Sequence, residues 1–192
     1  MESIIGFVGV ILGAALTLIG EWWFQSRKAK KDAEYASILI SYKLERYMFQ
    51  CEKVVKDDGI GDDEDPNRVD ELTRQVKEPT FDPLSLNVEW KSLPAKLVYD
   101  IFNFPHKAEI AEQAIYRAWD VSDPPHELEF EERQLQYATL GIEASELVHE
   151  LRKHANLPER SPDDLKSINH MKRRKSDIES ERMKKNARNS PL

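Results

Sequence analysis

The sequence predicts an all-α chain: one N-terminal transmembrane helix that continues into a small helical bundle and ends in a basic tail. Three observations carry that expectation. Residues 3–20 hold no charged side chain in a chain that is 33% charged. Beyond them, apolar residues recur three or four positions apart over long stretches, the period of a helix with one buried face. No alternating run long enough for a strand is present, and no internal repeat is visible.

Residues 1–24 form the expected anchor. A bilayer core of about 30 Å takes about 20 apolar residues at about 1.5 Å each. The run from Ser3 to Gly20 nearly fills that length, and Trp22 and Trp23 follow where indole rings favour the interface. A cleavable signal peptide would need positive charge before the run and small residues after it. This chain opens Met1-Glu2 and leaves the run through Glu21-Trp22-Trp23-Phe24. Arg27, Lys28, Lys30 and Lys31 follow at once, so positive charge places the remainder in the cytoplasm and the N-terminus outside. The expected location is therefore the cell inner (cytoplasmic) membrane, single-pass. Gly6, Gly9, Gly13, Thr17 and Gly20 make a small-residue face of the kind that lets two membrane helices approach closely and self-associate.

Residues 25–160 form the expected helical domain. Ala33, Ala36, Ile40, Leu44, Tyr47, Cys51, Val54 and Val55 keep helical period, and neither Gly nor Pro interrupts residues 21–56. The helix should stop at residues 57–65, where six acids and two glycines read as a solvated loop. That stretch lacks the register of a calcium-binding loop. A capping residue followed by Pro recurs at Asp65-Pro66, Asp123-Pro124 and Ser161-Pro162, a helix-start signature. It predicts a short helix near 67–77 and a long one near 126–156. Another helix is expected from Ser92 to about 104, with a continuation or kinked partner over 106–120. Residues 78–91 read as an irregular segment pinned by Phe81, Leu86, Val88 and Trp90. Gly141, inside a long helix, should permit a close crossing, with Trp90 or Trp119 as its partner.

Charge divides the chain sharply. Residues 32–165 hold 15 Lys/Arg against 30 Asp/Glu, whereas residues 166–192 hold 9 against 3. The tail over 161–192 carries Lys172, Arg173, Arg174, Lys175, Lys184, Lys185 and Arg188. Its few apolar residues, Ile168, Met171 and Ile178 among them, predict a disordered or frayed segment. The tail can be solvated without a partner, lie on anionic headgroups, or fold back on the acidic body. No aromatic residue follows Pro158 to stack a base, which argues against nucleic acid.

No reaction can be read from the side chains. His149 and His154 are five apart, about 140° around a helix, so they do not form the i, i+4 zinc pair. Glu146 and His149 match half of a di-iron bundle site, but no second Glu-x-x-His exists. Cys51 is alone, so no intrachain disulfide is possible, and a small core hydrophobe is expected there.

Trp90-x-x-Leu93-Pro94, Tyr99-x-Ile101-x-x-x-Pro105, Phe130-Glu131-Glu132-Arg133 and Tyr137-Ala138-x-Leu140-Gly141 resemble a loose group of bacterial hypothetical proteins. Those look like an N-terminal membrane helix followed by a helical domain, and the resemblance implies no activity or cofactor. The expected function is a membrane-anchored cytoplasmic interaction or scaffold module with no catalytic, cofactor or metal site. Its expected partners are the lipid bilayer, further copies of the chain and a cytoplasmic protein. The alternative is a membrane-acting effector, of the phage-defence or toxin kind, whose assembled anchors perturb the bilayer. A third reading is an enzyme whose site is gathered from scattered residues.

Overall fold

A computed structural model describes residues 2–60, 72–124 and 126–189, with the side chains of residues 2–15 and 189 outside that description. Among the described residues the chain is all-helical. The order is α1 (Glu2–Lys56), two 3-10 turns (Pro83–Ser85 and Trp90–Ser92), α2 (Ala95–Asp120), α3 (Glu127–His154) and α4 (Pro162–Asn189).

The first helix divides into an arm and a packed half. Every described residue from 16 to 31 is exposed, and burial begins at Ala33. From there Ala36, Ile40, Leu44, Tyr47, Met48, Cys51, Val54 and Val55 face inward, as their spacing predicts. They pack chiefly against α3, which lies at the centre and is also flanked by α2 and α4. Being flanked on three sides, α3 buries residues around much of its circumference, from Phe130 and Tyr137 to Val148 and Leu151. Gly141 is where α3 comes closest to its neighbours. A Cβ there would sit 3.1 Å from Cys51 Cβ and would collide with the Met171 side chain. The crossing partners are therefore α1 and α4, not Trp90 or Trp119.

The inner-membrane, single-pass expectation is overturned. Among the described residues no helix is long and apolar enough to cross a membrane. The run from Ser3 to Gly20 lies in the first part of α1, where the described side chains are those of residues 16–20. Beyond it, Glu21, Arg27, Lys28, Lys30 and Lys31 interrupt any apolar window. Gly6, Gly9 and Gly13 of the expected small-residue face lie outside the described side chains. Gly20 is open, with nothing within 4 Å of a Cβ placed on it.

Other boundaries also differ. Residues 72–77 are not helical, and the rest of the expected helix over 67–77 lies outside the described residues, as does the Asp65-Pro66 start. Ser92 does not cap a helix. It closes the second 3-10 turn by donating its Oγ to Glu89 O at 2.6 Å, and α2 begins after Pro94. The helix then runs through Pro105 without a break, although Pro gives no N–H to the carbonyl four residues back. The long helix expected near 126–156 is α3, which starts after His126, in the left-handed region at φ 63, a few residues beyond the Asp123-Pro124 signature. The segment over 78–91 is irregular as expected, with Leu86 buried and Phe81, Val88 and Trp90 packed against the core.

The largest difference is α4. Residues 162–189 form one 28-residue helix. It starts at the expected Ser161-Pro162 signature, with a reciprocal capping box: Ser161 N donates to Asp164 Oδ2 and Asp164 N donates to Ser161 Oγ, each at 3.2 Å. Ser167, Ile168, Met171 and Ile178 form a narrow buried stripe along it.

Candidate interaction surface

The packed half of α1 has a second, outward stripe. Successive residues on an α-helix turn by about 100°, so Lys31, Tyr35, Ile38, Tyr42, Arg46, Phe49, Lys53 and Lys56 fall within about 80° of one another. That arc lies opposite the buried one, and all eight residues are exposed. Tyr35 is 60% exposed, Ile38 50%, Tyr42 53% and Phe49 39%, with no other element covering them. Lys43 lies exposed on one flank. The spacing alternates between three and four residues, the pattern by which one helix seats on another.

Of the acids between residues 31 and 56, Asp32, Glu45 and Glu52 are half-buried, and Glu34, its side chain 45% exposed, lies 4.0 Å from Lys30. Glu45 accepts from Arg152 Nη1 at 2.7 Å, across to the end of α3. Glu52 accepts from Lys56 Nζ and from Ser167 Oγ, each at 2.7 Å, and its carboxyl is held below the ordinary value. Burial opposes that shift, and the Lys56 and Ser167 hydrogen bonds outweigh it. The outward stripe is thus aromatic and basic.

What fixes α1 at its C-terminal end is a buried ion pair. Asp57 and Arg133 have fully buried side chains, with Arg133 Nη1 2.8 Å from Asp57 Oδ2. The same carboxylate accepts the N–H groups of Gly59 at 3.1 Å and of Gln75 and Val76 at 3.0 Å. Burial raises the Asp57 pKa, but the Arg133 guanidinium and the backbone donors outweigh it and hold the carboxyl below its ordinary value. Arg133 also donates to the Val76 carbonyl and to Glu78 at 3.1 Å. Arg74 completes the network, reaching Glu129 at 2.5 Å and Glu78 at 3.0 Å. The solvated loop expected over 57–65 therefore does not include Asp57, which with Arg133 is a core residue.

The residues singled out from sequence are dispersed. On the arm, Trp22 and Trp23 are exposed, and the Arg27 guanidinium lies 3.7 Å from the Trp23 ring centre. Lys28 and Lys31 are exposed, and Lys30 lies 4.0 Å from Glu34. In α4, Arg174 donates to Gln134 Oε1 at 2.6 Å, Lys175 lies 3.9 Å from Glu179, and Lys185 lies 3.8 Å from Glu131. Lys172, Arg173, Lys184 and Arg188 face solvent. Arg182 on the same helix reaches Glu131 at 2.6 Å and Glu132 at 2.7 Å. The basic segment therefore lies against the acidic face of α3.

An open groove of about 1290 Å³ between α2, α3 and the start of α4 includes His149, His154, Lys153, Glu146 and Arg160. Some of its charges answer one another, through Lys96–Asp100 at 3.0 Å and Lys107–Glu143 at 2.8 Å. Among the described residues, no three His, Cys, Asp or Glu side chains gather closely enough to hold a metal ion. Cys51 is buried, and burial raises its thiol pKa well above the ordinary value, so it is a core residue and not a nucleophile.

Compared with protein-family models, curated proteins and solved structures, the chain matches none. Its surfaces must be read from their own chemistry. Sequence reasoning missed Tyr35, Ile38, Tyr42, Arg46 and Phe49. The signal was available: once Ala36, Ile40, Leu44, Tyr47 and Cys51 define an inner face, the large apolar residues on the opposite face have no place in the core.

Proposed function

We propose that this chain is a helical interaction module, in which the bundle holds α1 rigidly and presents its outward face to a protein helix. One observation carries the reading: four large apolar side chains at helix-pairing spacing stand exposed on a helix whose other face is fully packed. Single exposed apolar residues are ordinary, but a contiguous stripe rimmed by charge marks an interaction site. The buried Asp57–Arg133 pair and the tight crossing at Gly141 support the same reading. They fix the helix in advance, so little conformational entropy is lost when a partner seats.

The test is a photo-crosslinking amino acid placed at Tyr42 in cells that produce the full chain, with the same group at exposed Tyr99 on α2 as control. A discrete protein adduct at position 42, absent at 99 and weakened by Phe49→Ala, is expected. Adducts of equal yield at both positions, or none at 42, would sink the proposal.

A further inference from the structure

We infer that the occupant of the α1 face is an acidic amphipathic helix, an inference that rests on the docking reading above and adds the partner's chemistry. The ridge from Lys31 to Lys56 is about 38 Å long, enough for a partner helix of about 25 residues. Its centre is apolar, through Tyr35, Ile38, Tyr42 and Phe49, so the partner needs an apolar seam at the same three–four spacing. Its rim is mainly basic: Lys31, Lys43, Arg46, Lys53 and Lys56 are exposed, against Glu34, whose side chain is 45% exposed and lies 4.0 Å from Lys30. The neighbouring Glu45 and Glu52 are engaged by Arg152, Lys56 and Ser167 within the chain. A partner with Glu or Asp flanking its seam would meet Lys31, Lys43, Arg46 and Lys53, whereas Lys56 is already paired with Glu52. A basic surface is also unusual on a chain of net charge -7, which makes this local sign informative.

Two other occupants fit less well. A second copy pairing antiparallel about Tyr42 would match Tyr35 with Phe49. It would also bring Lys31 against Lys53 and set two copies of Arg46 and Lys43 into one interface, and like charges there are repulsive. Single-stranded nucleic acid could stack on the rings, but Tyr35, Tyr42 and Phe49 are each about 10.5 Å from the next along the helix. The chain's overall negative charge would further oppose its approach.

The experiment uses the full chain and two synthetic helical peptides of about 25 residues with one shared leucine seam, flanked by Glu in one and by Lys in the other. Binding is read by fluorescence anisotropy, with helicity checked by circular dichroism. The Glu-flanked peptide should bind at least about tenfold tighter at low salt, and the gap should shrink as salt rises, as expected for rim charges. Tyr42→Ala should weaken it, and the double variant Arg46→Glu, Lys53→Glu should reverse the preference toward the Lys-flanked peptide. All three positions are exposed, so these variants should keep the native helicity. If both peptides bind equally and Tyr42→Ala weakens both, the docking reading stands and the acidic partner is wrong. Binding of neither peptide, or binding insensitive to Tyr42→Ala, would overturn the inference. So would tighter binding of a single-stranded RNA of about 20 nucleotides, or a homodimer abolished by Tyr42→Ala.

Discussion

The buried pair between α1 and α3 gives the sharpest test of how this bundle is held. Removing one partner of a buried ion pair leaves a charge without compensation and costs about 3–5 kcal/mol. The two halves of this pair are not equivalent. Asp57→Ala strips Arg133 of its closest carboxylate and also leaves the N–H groups of Gly59, Gln75 and Val76 without their acceptor. Its cost should fall at the upper end, about 4–5 kcal/mol. Arg133→Met leaves the Asp57 carboxylate with all three backbone donors and fills the volume with a flexible apolar side chain, so its cost should be nearer about 3 kcal/mol. Against a typical stability of about 5–15 kcal/mol, either loss is large.

The pH dependence has a fixed sign. Asp57 ionises more readily folded than unfolded, because its folded pKa is held below the ordinary 3.8. Its contribution is therefore complete above that ordinary value and is lost as pH falls through the lower, folded one. Urea unfolding followed by helical circular dichroism measures both effects. The gap between the wild type and Asp57→Ala should be flat above about pH 5 and close in acid. A gap that widens in acid, or an Arg133→Met cost larger than that of Asp57→Ala, would refute the assignment of Asp57 as the hub.

Two further expectations concern the other contacts of α3. Gly141→Ala should destabilise by about 1–2 kcal/mol through overpacking, despite the roughly 1 kcal/mol that Ala normally adds to a helix interior; most of that penalty should vanish in a Met171→Ala background, as urea unfolding of the double variant would show. Ile178→Ala should cost about 2–4 kcal/mol as a large-to-small change at a fully buried site, whereas Met183→Ala, on the exposed side of the same helix, should leave the unfolding midpoint unchanged.

Much of the fold could be read from local signals. The inner face of α1, the extent of α3 and the Ser161–Asp164 box all follow from periodicity or capping chemistry within a few residues. What escaped was set by partners far away in sequence. Asp57 looks solvated because it opens a run of acids, and only the fold brings Arg133, 76 positions later, against it. The segment that forms α4 has few apolar residues, which predicts disorder, yet it packs. It does so on a stripe barely one side chain wide, with Arg182 and Lys185 drawing it onto Glu131 and Glu132. The charge asymmetry that marked the two segments as complementary was visible; that their attraction would align a helix was not.

The same distinction explains why the candidate surface is hard to see in one dimension. Along α1, large apolar residues occur on both faces, so a search for one amphipathic stripe finds only an apolar helix. Position in the fold separates them: the residues facing α3 are buried, with Cys51 against Gly141, while Tyr35, Ile38, Tyr42 and Phe49 stand exposed. Asp57 lies eight residues beyond Phe49 and one beyond Lys56. Its clamp on Arg133 therefore fixes the last turn of the same helix that bears the outward stripe. Core and surface are in this way mechanically one element, and the rigidity that the buried pair and the Gly141 crossing provide is what would allow a partner helix to bind a preformed ridge.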